Sequence, residues 1–203
     1  VKFKLGDAVD RGHSTALQHE FLRCQDAFRD FTACGTTMIL KGENRLLAYH
    51  TYNSYSRFIQ HLYEFLIGAR EREIGDTAEI RAEQAELSVS AQAQRILTNR
   101  REAIQNGTAP DWENDISYYP ERVPPGFAKE FRQYRNKVSG HVTHERSTLS
   151  LSEFYAENHK YLYMLYVECA GSWGLLGDEF PDLKEITDFS VLVKSTSGEP
   201  KNL

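Results

Sequence analysis

The chain is poor in the residues that would place it outside ordinary globular proteins. It has three cysteines, two tryptophans, two methionines and six prolines in 203 residues. Cys24, Cys34 and Cys169 are odd in number and widely spaced, which makes neither a disulfide framework nor a metal-ligand pattern. They read as idle thiols in a reducing compartment. No run approaches the ~20 apolar residues of a membrane span. The most apolar stretch, 161–170, is short and carries Glu168. No internal repeat and no strand–helix–strand alternation is present, which leaves an all-α bundle. No signal-peptide pattern is found, so cytoplasm is the expected location. The formal net charge of −5 argues against a protein that coats nucleic acid by bulk electrostatics. No motif asks for a cofactor or a metal.

What remains is 40% hydrophobic and 26% charged, enough for one good core. The spacing predicts an up-and-down bundle of four to five helices over residues 1–185, with 186–203 as an appendage and flexible tail. Residues 1–12 read as a loose lead-in. Ser14 or Thr15 can cap a first helix whose stripe is Leu17, Phe21, Cys24, Phe28 and Phe31. Asn44 opens a second, to about Glu73, with Tyr55, Phe58, Ile59, Leu62, Phe65 and Leu66 on one face. His50 and His61 share a face of it but stand ~16 Å apart by helix rise, too far for one metal ion. They read as satisfied or exposed side chains. Asp76 or Thr77 can start a third helix, sparse in apolar residues and half exposed, which Asn106 and Gly107 stop.

A loop to about Pro125 holds Trp112, Tyr118 and Tyr119, suited either to stack bases or to tuck onto the core as a lid. Pro124, Pro125 and Gly126 precede a helix anchored by Phe127, Phe131 and Tyr134. Ser150 and Glu153 have capping-box spacing and begin a last long aromatic helix, which Gly171, Gly174 and Gly177 end. Residues 188–193 suit a strand or a docked extension, and 195–203 a disordered tail.

The segment 131–146, FRQYRNKVSGHVTHER, concentrates the chemistry. Arg135 stays charged and fits phosphate oxygens with a forked donor set. Asn136 follows it, and His141 comes five residues after Asn136, able to give or take a proton near neutral pH. Lys129, Arg132, Lys137 and Arg146 complete a small positive island on an acidic protein. His144 can replace or assist His141. The pair also has helical metal-ligand spacing, but no third ligand is evident. On a straight α-helix Arg135 and His141 lie about 120° apart. Either Gly140 bends or ends the helix, or two copies of the segment build one site.

Tyr134, Arg135, Asn136 and Lys137, through His141, resemble the R-x(4–6)-H motif of the HEPN superfamily. The downstream 149–154 segment and aromatic helix resemble its abortive-infection branch, over roughly 127–173. The resemblance implies a HEPN-like helical domain and metal-independent RNA cleavage leaving a 2′,3′-cyclic phosphate, with the cleft shared across a homodimer. It gives catalytic roles to Arg135, Asn136 and His141, and RNA contacts to Arg132, Lys137 and His144. It also implies a toxin or phage-defence setting, with any antitoxin or nucleotidyltransferase as a separate partner. The acidic net charge and Gly140 keep open a non-catalytic module of the same fold that binds RNA, a nucleotide or a protein.

Overall fold

The computed structural model describes residues 1–140, 144, 149–174 and 183–196. Among them the chain is all-α, with six α-helices and no strand beyond an isolated bridge between Lys2 and Asp76. Helices α1 (Ala8–Lys41) and α2 (Arg45–Ile74) are joined by only three residues and pack along their length. Helix α3 (Ala82–Gln105) and α5 (Leu151–Trp173) lie together, and the short α4 (Phe127–Arg135) fits against α2, α3 and α5. Helix α6 (Lys184–Thr196) stands where the sequence suits a strand or docked extension. A helical stripe of Ile186, Phe189 and Val193 explains this better than the β-branched run does. Ser195 and Thr196 close that helix rather than open a tail. Residues 197–203 lie outside the described residues.

Helix ends follow cap chemistry. Asn44 accepts from the Leu47 amide, and Ser150 from the Glu153 amide, both where expected. Helix α1 starts earlier than the sequence suggests, because Asp7 rather than Ser14 or Thr15 caps it, accepting from the Asp10 amide at 2.9 Å. Helix α3 starts later, at Ala82. The first residues are tied down rather than loose. Phe3 is buried and its amide donates to the Gly75 carbonyl at 2.9 Å. Gly75 has φ +71°, and a Cβ there would sit 2.9 Å from the Phe3 carbonyl oxygen, so only glycine fits this crossing.

The core runs through all five larger contributors: Phe21 and Cys24 from α1; Phe58, Ile59 and Leu62 from α2; Val89 and Leu97 from α3; Phe127 and Phe131 from α4; Leu162 and Leu165 from α5. Helix α3 buries one side only, leaving Leu87 exposed, as its sparse pattern suggests. Helix α5 is less enclosed than expected, with Tyr155, Tyr163 and Val167 at the surface. Cys24, Cys34 and Cys169 are all free, and burial pushes the Cys24 thiol well up and that of Cys169 to about 12.

His159 is the half-buried titratable group with the clearest effect on stability. Its ring stacks on Tyr155 at 4.4 Å, and its Nδ1 lies 3.1 Å from the Tyr55 hydroxyl. Burial pushes Tyr55 far up, so the phenol keeps its proton and pairs with the ring as a neutral hydroxyl. Burial likewise pushes His159 down to about 4. The unfolded chain, with a histidine near its ordinary value, binds this proton first. Stability is therefore complete above pH ~6.5 and is lost as pH falls from there toward 4, by about 2 kcal/mol once the ring's partial exposure is counted. Urea unfolding at pH 7.5, 5.5 and 4.5 checks this, and His159→Phe flattens the acid limb if His159 causes it.

Candidate functional site

Phe127 and Phe131, both fully buried, fix α4 against the bundle. Phe131 meets the Tyr63 ring edge-on at 5.2 Å. Arg132 and Arg135, three residues apart, then emerge together toward α2 and α3, as their spacing predicts. The Nη2 and Nε atoms of Arg132 reach Glu86 Oε1 at 2.7 and 2.8 Å. Arg135 donates from Nη1 to Asn136 Oδ1 at 2.7 Å and from Nη2 to Glu64. Its guanidinium also lies over the Tyr63 ring, 5.6 Å from the centroid. Burial pushes the Tyr63 phenol up, and the two arginines oppose that shift.

The backbone changes at this point. Directly after Arg135 the chain widens into a π-helical turn, Asn136–Gly140. Val138 is buried and pins the turn. A π turn inserts an extra residue and rotates the chain beyond it, and such turns concentrate at functional sites. The straight helix that would set Arg135 and His141 about 120° apart is therefore not what the chain forms. His141 lies outside the described residues, as do Glu145 and Arg146. His144 is exposed and Lys137 half-buried. Among the described residues no three metal-type side chains come together.

So the structure brings Arg135 and Asn136 into direct contact and sets Arg132 beside them. Sequence reasoning missed the acidic and aromatic surround: Glu64 and Tyr63 from α2, and Glu86 from α3. Tyr134 is committed within the chain, stacked on Phe154 at 4.1 Å with its hydroxyl donating to the Ser150 carbonyl. That is the anchoring part expected of it.

The aromatic loop is partly tucked onto the core and partly exposed. Tyr119 is buried, donates to Glu113 Oε1 at 2.7 Å, and has its carbonyl held by Arg101. Trp112 is 82% exposed and Tyr118 is also at the surface, with Lys160 Nζ 5.1 Å from its ring centroid.

A second polar cluster lies one turn away on α2. A groove of about 390 Å³ between α1 and α2 is lined by His13, Glu20, Arg23, Gln60, His61 and Glu64. His61 Nδ1 sits 2.7 Å from Glu20 Oε1, and His13 Nε2 is 2.9 Å from the Gly68 carbonyl.

No protein-family model matches the chain, no curated protein is similar to it, and no solved structure matches it. No helix among the described residues is long and apolar enough to cross a membrane.

Proposed function

We propose that the chain is a metal-independent endoribonuclease of HEPN type, with Arg135, Asn136 and His141 as its catalytic set. The observation that carries this is the Arg135–Asn136 pair, fixed by α2 at a π turn that leads into the His141 segment. RNA supplies its own nucleophile, the ribose 2′-hydroxyl. Cleavage needs a base for that proton, an acid for the departing 5′-oxygen and a cation for the phosphorane. Arg135 holds the phosphate, Asn136 orients the guanidinium, and His141 transfers the proton. Arg132, Lys137 and His144 extend the contact to neighbouring phosphates. Two copies in a homodimer then supply two arginines and two histidines. A cytoplasmic toxin or phage-defence role, restrained by a separate antitoxin or nucleotidyltransferase partner, fits this chemistry.

One observation favours a second reading, a non-catalytic module that binds RNA, a nucleotide or a protein. Arg132 and Arg135 both face carboxylates of their own chain, so their charge is already partly neutralised. Incubation of the full chain with RNA in EDTA separates the two. The first reading expects fragments ending in 2′,3′-cyclic phosphate, and none from His141→Ala. Intact RNA, or undiminished cleavage by His141→Ala, leaves the binding module.

A further inference from the structure

His61 occupies a different place in the molecule from the motif segment, yet the same α2 face serves both. Glu64, which holds Arg135, is three residues after His61, so their Cβ atoms stand about 5–6 Å apart on adjacent turns. Both side chains line the groove between α1 and α2. The groove's volume of about 390 Å³ lies within the range of small-ligand sites.

The local geometry of His61 is that of an oriented base. Glu20, from α1, lies 2.7 Å from Nδ1. An ionised carboxylate only accepts, so Nδ1 carries a proton, and in the neutral imidazole Nε2 then holds the lone pair. Among the described residues Nε2 has no hydrogen-bond partner. The imidazole is 15% exposed and Glu20 22%, so the pair is sheltered without being sealed. Close approach of the two helices sets this arrangement. A Cβ on Gly68 would meet Leu17 Cδ2 at 2.8 Å, and His13 braces the same point through the Gly68 carbonyl. A carboxylate that orients an imidazole through one nitrogen is the general form of an activated base.

We propose that His61, oriented by Glu20, is a further catalytic residue acting on RNA held by Arg135, with the groove receiving the nucleoside on the 2′-hydroxyl side of the scissile phosphate. This rests on the ribonuclease reading of the Arg135 site. His61 Nε2 takes the 2′-hydroxyl proton as the 2′-oxygen bonds to phosphorus. The bond from phosphorus to the 5′-oxygen breaks, and that oxygen leaves with a proton taken from solvent. Arg23 at the groove edge offers a cation to the next phosphate.

The test measures cleavage of a fluorescent RNA oligonucleotide in EDTA by the full chain and three variants. His61→Ala is expected to fall at least about a hundredfold, in the range of a lost general base. Added imidazole should restore at least about a tenth of the lost rate, which a purely structural defect does not permit. His61→Gln keeps a donor toward Glu20 but cannot relay a proton, and should be as slow as His61→Ala with an unshifted melting curve. Glu20→Gln should lose about tenfold, as orienting partners do. Cleavage by His61→Gln within twofold of wild type overturns the assignment and leaves the Arg135 reading standing. A slow His61→Ala without imidazole rescue, alongside an active His61→Gln, overturns it also. If the wild-type chain leaves RNA intact, both readings fall together.

Discussion

Replacing Arg135 by alanine should lower RNA cleavage by at least about a hundredfold while leaving the fold nearly as stable as before. Preorganised donors at a developing negative charge are each worth about 10²–10³ in rate. On the ribonuclease reading Arg135 is such a donor, held by Asn136, Glu64 and the Tyr63 face. Its role in stability is small. The Arg135 and Glu64 side chains are 35% and 37% exposed, and ion pairs of that kind contribute roughly 0–1 kcal/mol. A loss of that size moves Tm by about 2–4 °C in a chain this long. Arg135→Lys keeps the charge but loses the fork, so its activity should fall between the two. Glu64→Gln gives the opposite sign in binding: with its carboxylate gone, Arg135 no longer chooses between glutamate and phosphate, and RNA binds more tightly. Initial rates and calorimetric melts on the same preparations check all three. An Arg135→Ala chain that melts many degrees lower and cleaves normally would make the arginine a strut and favour the binding module.

The largest expected effect on stability is at Phe131. Its side chain is fully buried against Phe127 and Tyr63. Phe131→Ala should cost about 3–5 kcal/mol, the removed transfer energy plus the cavity left behind. Helix α4 has nine residues, too few to hold its own hydrogen bonds in water, so it exists because Phe127 and Phe131 dock it. Two polar ties assist: Asn158 donates to Glu130 at 3.1 Å, and Arg132 pairs with Glu86. Losing Phe131 therefore acts on the site as well as the core, since Arg135 sits one turn further on. Urea midpoints give the stability loss. Phe131→Leu, which keeps more of the volume, should lose clearly less, and near-equal midpoints for the two variants would place the cost elsewhere.

The parts of this fold that are legible in the sequence are those set by local rules. Asn44 and Gly75 bound α2, and Ser150 with Glu153 opens α5, because a cap and its amide lie within one turn. The start of α1 is harder to read because Asp7, Ser14 and Thr15 are all capping residues, and local chemistry does not rank them. Helix α6 is ambiguous because five of its residues are both apolar and β-tolerant, and a short run of that kind fits either period. In the site, Arg135 and Asn136 are visible as neighbours. Their surround is not. Glu64, Glu86 and Glu20 stand 71, 46 and 41 residues from the groups they meet, and only the packing of whole helices brings them there.

The three-residue connection between α1 and α2 has a consequence in time. A long hairpin of consecutive helices forms from contacts close in sequence, and such contacts form fast. During synthesis that hairpin, with the Glu20–His61 pair already across it, can assemble before α4 has left the ribosome. Arg135 meets Glu64 only when the later helices arrive and dock. Half of the polar constellation on α2 is thus laid down early and the other half delivered late. A nascent chain carries the imidazole and the acidic face without the arginine, and gains the complete set only as folding finishes.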